Sequence, residues 1–161
     1  MLKRVALSIA VVAVVVGAVT PFAGAQSHKP KKHSVNVAIT IVSVSQTGSP
    51  PVSGTSVDAG RATGTYGLSA VVQSVTYGTP AVGSFKATGT LFTRHGALNY
   101  TLTGSGKPNT DGSVSFTGSG KVAGGTDKFA GARGKFTFTG STPSVSENPP
   151  RSFQVRGTVR Y

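Results

Sequence analysis

The stretch that decides the fold is Gly124-Gly125-Thr126-Asp127-Lys128-Phe129-Ala130-Gly131-Ala132-Arg133-Gly134. It lies between two runs in which polar and apolar residues alternate, one around Phe116 and the other around Phe136. Alternation with a period of two is typical of half-buried β-strands. The glycines allow backbone angles that residues with a Cβ resist, and Phe129 is the one large apolar residue. The pattern predicts a strand, a tight connection and a second strand.

Two further segments form a series with this stretch. They are Gly60-Arg61-Ala62-Thr63-Gly64-Thr65-Tyr66 and Phe92-Thr93-Arg94-His95-Gly96-Ala97-Leu98-Asn99-Tyr100-Thr101-Leu102. With the pattern Gly-Gly-Thr-x-x-Phe-x-x-Ala-Arg-Gly, they resemble motifs of the dirigent and allene oxide cyclase barrel superfamily, in the same order. Asp127 stands where members usually carry Gly, but Asp tolerates left-handed backbone angles better than most residues. The resemblance implies an eight-stranded barrel that binds or orients a small apolar molecule.

The resemblance also suggests site residues. In the dirigent branch, an Arg and carboxylates in the pocket are thought to steer proton loss from a bound quinone methide, which makes Arg133 and Asp127 the candidate catalytic residues. Candidate ligand-binding residues are Arg61, Tyr66, Asn99, Tyr100, Phe136 and Phe138. Alternation, however, points Arg133 away from the face of the phenylalanines, and turn glycines explain most of the motif without chemistry. A structural role is therefore favoured. Enzyme activity stays open, with cyclase- or isomerase-like chemistry or dirigent-type stereocontrol as its form.

Eight strands are expected in series, at residues 35–45, 59–66, 68–77, 82–93, 97–103, 113–122, 132–140 and 152–161. Short connections between them suit an all-β, antiparallel up-and-down barrel, which has no exposed sheet edge. Strand number alone leaves a β-sandwich open, and the resemblance favours the barrel. Residues expected to converge inside are Phe85, Leu91, Leu98, Leu102, Val114, Phe116, Phe136 and Phe138.

The N-terminus has the features of a secretory signal peptide. Lys3 and Arg4 precede an apolar run over residues 5–19, and Ala23-Gly24-Ala25 supplies small residues for cleavage after Ala25. An uncleaved membrane anchor is the alternative, but the run is shorter than the roughly 20 residues that span a bilayer. We therefore expect a signal at residues 1–25, a basic flexible arm at 26–34, and one barrel domain at 35–161 without a transmembrane span. The protein would be secreted, extracellular or associated with the cell envelope.

The chain is basic and has no cysteine, so its core must hold without disulfides. Its net charge of +12 falls to +10 once Lys3 and Arg4 are removed with the signal. Such a charge favours polyanions as partners, including anionic cell-wall polymers, lipid head groups and nucleic acid. Solubility and loose retention in the cell wall are the favoured interpretation. Outside the cluster at residues 28–33 the charge is scattered along the sequence, which predicts no dedicated nucleic-acid site. A homo-oligomer is also compatible with the sequence.

A metal site can be argued for the mature N-terminus. After cleavage, Gln26, Ser27 and His28 would offer a free amine, two backbone amides and an imidazole, a set that suits Cu(II) or Ni(II) in a square plane. The alternative is a disordered tail with an incidental histidine. Nothing matches a zinc or calcium spacing, and no cofactor is predicted.

Two functions remain at this stage. The first is a secreted barrel that binds or orients a small apolar ligand. The second is a basic, non-catalytic protein of the cell envelope or matrix that uses the same scaffold without a ligand. An apolar cavity inside the barrel is the observation that separates them.

Overall fold

The computed structural model describes residues 30–47, 53–78, 83–143 and 149–161. It contains eight strands and one short 3-10 helix. The strands are β1 (Lys32–Thr47), β2 (Gly54–Gly64), β3 (Ser69–Tyr77), β4 (Ser84–Thr93), β5 (Gly96–Pro108), β6 (Val114–Gly125), β7 (Arg133–Thr142) and β8 (Arg151–Arg160). The 3-10 helix, Asp127–Phe129, lies between β6 and β7.

The strands form a closed antiparallel barrel in chain order. Each strand pairs with the next, and β8 pairs with β1 to close the barrel, with Val37 opposite Val155. Closure leaves no strand edge unpaired. The predicted eight-stranded up-and-down barrel is therefore confirmed, and the sandwich alternative is excluded.

Most strand boundaries differ from the predicted ones by one to five residues, and three of these differences bring residues of the expected arm or loops into strands. β1 begins at Lys32 rather than residue 35, so the last residues of the expected arm pair with β8. β2 begins at Gly54 instead of residue 59, and β5 continues to Pro108 instead of residue 103. Gly, Ser and Pro in these segments predict loops, but here the neighbouring strand of the barrel offers hydrogen-bond partners. Of the expected domain limits, the signal peptide and residues 26–29 lie outside the described residues.

Aromatic rings and glycines fill the barrel together. The rings of Phe85, Phe116, Phe138 and Phe153 form a cluster with centroids 5.7 to 6.1 Å apart. This cluster lies toward the end of the barrel that carries the β5–β6 turn. A Cβ added to Gly118 would collide with the ring of Phe138, and one added to Gly140 would collide with Phe153. The glycines on the inner face therefore make room for rings from neighbouring strands.

The Gly-rich stretch closes the other end. Asp127 has φ of 50°, so it adopts the left-handed conformation that was expected to be tolerated there. The amide of Thr126 donates to the carbonyl of Ala97 at 2.9 Å, which ties the connection to β5. Phe129 is 1% exposed and packs edge-on against Tyr66 and Tyr161, with centroids 5.5 and 4.8 Å apart. Phe129, the one large apolar residue of the stretch, therefore anchors the connection at this end of the barrel.

Candidate functional site in the barrel interior

The barrel interior contains a partly open cavity with almost entirely apolar walls. Its volume is about 90 Å³. All but three lining residues are aliphatic or phenylalanine, and the three polar ones are Tyr66, Gln73 and Tyr100. The apolar lining comprises Val35, Val37, Ile39, Ile41, Phe85, Leu91, Leu98, Leu102, Val122, Phe136, Phe138, Phe153, Val155 and Val159. An apolar cavity with a few polar groups is the usual form of a small-molecule site.

A row with polar side chains crosses the inner face of five strands. In this row Ser43 of β1 pairs with Asp58 of β2, Asp58 with Gln73 of β3, Gln73 with Gly89 of β4, and Gly89 with Tyr100 of β5. A Cβ at position 89 would lie 2.5 Å from the ring of Tyr100. The glycine therefore lets that ring reach across β4 toward Gln73.

Hydrogen bonds connect this row from the cavity to a buried carboxylate. The hydroxyl of Tyr100 donates to Oε1 of Gln73 at 3.0 Å, and Nε2 of Gln73 donates to Oδ2 of Asp58 at 3.2 Å. Burial, followed by the negative charge of Asp58, raises the pKa of Tyr100 above its usual value. Tyr100 is thus a neutral phenol at physiological pH. Because its proton is directed to Gln73, the lone pairs of its oxygen are available to accept a hydrogen bond from a ligand.

Asp58 is the anchor of the network. It is fully buried, and Nη1 of Arg151 pairs with its Oδ2 at 3.1 Å. Ser43 donates from Oγ to Oδ1 of Asp58 at 2.7 Å and also accepts a hydrogen bond from Nη2 of Arg151. A buried charge needs such partners, because desolvation of an unpaired carboxylate is costly. The arrangement fixes Asp58, which in turn fixes the orientation of the Gln73 amide and of Tyr100.

Tyr66 provides a second polar group on the cavity wall. It follows β2, packs against Phe129 and lies close to the end of the barrel that the Gly-rich stretch closes. Its hydroxyl is buried and has no hydrogen-bond partner among the residues that the structure describes. Burial, with a smaller effect of Tyr161, raises the pKa of Tyr66 to about 12. A buried hydroxyl without a partner is uncommon and calls for an explanation, such as a bound molecule or water.

The predicted ligand-binding residues divide into two groups. Tyr66, Tyr100, Phe136 and Phe138 line the cavity. Arg61 and Asn99 are exposed on β2 and β5, and the Asn99 side chain accepts a hydrogen bond from Thr90 at 3.0 Å. Neither borders the cavity, because each occupies an outward position in its strand.

Neither candidate catalytic residue borders the cavity. Arg133 is exposed on the outer wall, as its phase in β7 predicts, and donates to the carbonyl of Ala132 at 3.1 Å. Asp127 is exposed in the 3-10 helix and accepts a hydrogen bond from Thr126 at 2.9 Å. The candidate metal ligands Gln26, Ser27 and His28 lie outside the described residues.

The network of Ser43, Asp58, Gln73 and Arg151 was missed as a site. One signal was available, because Asp58 shares its phase in β2 with Ser56, Gly60 and Ala62 and is therefore an inward carboxylate. Its partner Arg151 is 93 residues away along the chain. Only the closed barrel brings β1, β2, β3 and β8 around one point.

In the described part of the chain, no group of three or more His, Cys, Asp or Glu side chains could hold a metal ion. None of the helices among the described residues has the length and apolarity to cross a membrane. No protein-family model and no curated protein matches the chain.

Proposed function

We propose that this protein is an exported barrel that binds a small, mostly apolar molecule carrying hydrogen-bonding groups. The observation that carries the proposal is the apolar cavity with the unpartnered hydroxyl of Tyr66 on its wall. Export is the part of the proposal that rests on the signal-like N-terminus. Membership of the dirigent and allene oxide cyclase superfamily is also proposed, on the three motifs, and a closed eight-stranded barrel is what that membership would require.

The size of the cavity limits the ligand. A cavity of about 150 Å³ with similar lining accepts benzene, and this one has about 90 Å³. A slender hydrocarbon chain fits such a space better than a ring with substituents. Burial of each methylene group contributes about 0.8 kcal/mol. We therefore expect affinity to increase with chain length until the cavity is full.

The polar groups define what the ligand carries. Tyr66 can donate a hydrogen bond, since its hydroxyl has no acceptor in the described residues. Tyr100 already donates to Gln73, so its oxygen offers an acceptor. The matching molecule has an acceptor, such as a carbonyl or ether oxygen, next to Tyr66 and a donor, such as a hydroxyl, next to Tyr100. Both phenols are neutral at physiological pH, so a charged ligand group gains no counterion from them.

The experiment is a calorimetric titration with straight-chain primary alcohols from butanol to decanol. Affinity should rise about fourfold for each added methylene, the equivalent of about 0.8 kcal/mol, and then stop rising when the cavity is full. Tyr66→Phe and Tyr100→Phe keep the cavity shape and remove one hydroxyl each. At least one of them should weaken alcohol binding while leaving the binding of an alkane of equal length unchanged.

A matched pair of variants locates the site. Val155 lines the cavity, whereas Val72 is 43% exposed on the outer face of β3. Val155→Phe should abolish binding by filling the cavity, and Val72→Phe should leave binding intact. Absence of saturable binding to any alcohol, or equal loss in both variants, would overturn the proposal.

A further inference from the structure

Basic side chains gather on one part of the outer wall. One cross-strand row runs Lys86, Thr103, Ser119, Thr137 and Arg156 from β4 to β8. The adjacent row contains Lys121 opposite Lys135, and the next contains Arg133, Arg160 and Lys32. We call these three rows the basic wall. All seven of its Lys and Arg residues are exposed.

The described carboxylates lie elsewhere. Asp58 is buried inside the barrel and paired with Arg151. Asp111 lies in the β5–β6 turn and Asp127 in the 3-10 helix, at the two ends of the barrel. Asp127 lies at the same end of the barrel as the row with Arg133, but no Lys or Arg of the basic wall forms an ion pair with a described carboxylate.

Like-charged cross-strand pairs in the basic wall destabilise the sheet. Lys121 and Lys135 face each other directly on β6 and β7, and Arg133, Arg160 and Lys32 are consecutive neighbours on β7, β8 and β1. Like charges directly opposite on neighbouring strands are destabilising. An anion lying between them would remove the repulsion, so the pairs are suited to a bound polyanion.

The surface between the charged side chains carries hydroxyl groups, which can donate hydrogen bonds to sugar hydroxyls and accept them. Hydroxyl side chains of Thr88, Thr101, Thr103, Ser119 and Thr137 border a broad open depression that also contains Lys86, Lys121, Lys135 and Arg156. Binding of single-stranded nucleic acid commonly uses aromatic side chains on which bases stack. Tyr161, the aromatic residue that follows Arg160, already stacks on His33 with centroids 4.4 Å apart and packs against Phe129. Its ring is therefore engaged within the protein, which favours a sugar polymer over a nucleic acid.

We propose that the basic wall binds an extended anionic polysaccharide, with acidic groups on the Lys and Arg side chains and sugar hydroxyls on the Ser and Thr rows. Neighbouring strands are about 4.8 Å apart, so the row from β4 to β8 follows about 19 Å of the curved surface, half of the circumference of the eight-stranded barrel. This length accommodates several sugar units. None of the seven basic residues of the wall lines the interior cavity, because outward and inward residues alternate along each strand, although Leu102 and Phe136 border both the cavity and the outer depression.

The test compares two triple variants that remove the same charge. Lys121→Gln, Lys135→Gln and Arg156→Gln together neutralise the centre of the basic wall. Arg61→Gln, Arg94→Gln and Lys107→Gln together neutralise three exposed residues outside it. Binding of each variant and of the original protein to polygalacturonate is measured by titration at several salt concentrations, with neutral dextran and single-stranded DNA as further probes.

The salt dependence gives the expected sizes. If each contact contributes about 0.7 to the slope of log affinity against log salt, as for single-stranded polyanions, seven contacts give about −5. The triple variant of the basic wall should reduce the steepness of this slope from about −5 to about −3. It should also weaken binding on the order of a hundredfold at about 0.1 M salt. The control variant should keep the slope near its original value. Lys121→Gln alone should leave the melting temperature unchanged or higher.

Three results would overturn the proposal. Equal weakening in both triple variants would mean that net charge alone drives binding. Binding to neutral dextran as tight as that to polygalacturonate would exclude charge recognition. Tighter binding of DNA than of polygalacturonate at the same salt concentration would identify the wall as a nucleic-acid surface instead.

Discussion

Asp58 is the residue at which stability and the candidate site are most closely connected. Its carboxylate accepts hydrogen bonds from Ser43, Gln73 and Arg151 at 2.7, 3.2 and 3.1 Å. Asp58→Asn preserves the size of the side chain but removes the charge and replaces one acceptor by a donor. The new amide donates where a carboxylate oxygen accepted, so Ser43 or Gln73 must reorient, and Arg151 loses its charged partner.

The loss can be estimated from the partners. Removing one member of a buried ion pair costs about 3–5 kcal/mol, since the other charge is left unpaired. The Arg151 side chain is 22% exposed, so water can solvate part of it. We therefore expect the lower end of that range, about 3 kcal/mol of unfolding free energy. For a domain of this size the melting temperature would fall by about 10–15 °C.

Urea denaturation followed by circular dichroism measures the change. Asp111→Asn is the control, since Asp111 is an exposed carboxylate whose pKa is lowered by hydrogen bonds from Ser113. Asp111→Asn should lower the free energy of unfolding far less than Asp58→Asn does. Alcohol binding by Asp58→Asn should also weaken, because Gln73 would lose the partner that orients it toward Tyr100. Unfolding free energy within about 0.5 kcal/mol of the original protein, the range of ordinary surface changes, would refute the reasoning.

Two further predictions concern the Gly-rich stretch and alkaline pH. Gly134→Val should lower the free energy of unfolding by several kcal/mol, because a Cβ at this position would collide with the carbonyl of Thr158. Thermal melts measure the change. Ala123→Val, at an exposed position of β6, is the control. Because folding raises the pKa of Tyr66 from 10.0 to about 12, its contribution to unfolding free energy should be constant below pH 10 and fall between pH 10 and pH 12. Urea midpoints measured alongside phenolate absorbance should show a smaller fall for Tyr66→Phe.

The fold follows from local signals that the sequence carries openly. Alternation marks the strands, and Gly, Pro and Asn mark the turns, so eight antiparallel strands could be predicted. The strand ends could not, because Gly54 and Pro108 resemble loop residues and pair only when a neighbouring strand is present. The prediction of a closed barrel depended on the family resemblance, since strands alternate in the same way in a sandwich and in a barrel.

The apolar part of the site could be predicted, and the polar part could not. Phe136, Phe138 and their neighbours have the inward phase of strands with apolar alternation. Gln73 and Arg151 also have inward phases, but a polar residue in a strand is ordinarily assigned to the solvent face. Whether such a residue is tolerated inside depends on partners from other strands, and these are set by the register around the whole barrel.

The basic wall shows the same limit on the outer surface. Five of its basic residues are scattered along the sequence and lie on three different strands: Lys121, Arg133, Lys135, Arg156 and Arg160. The antiparallel register places them side by side, so residues that are far apart in the sequence are neighbours on the surface of the barrel. Since the strands alternate, neutralising the wall changes no residue of the cavity, and filling the cavity changes no residue of the wall. The two binding proposals can therefore fail separately, and loss of alcohol binding in the wall variant would indicate damage to the barrel rather than a shared site.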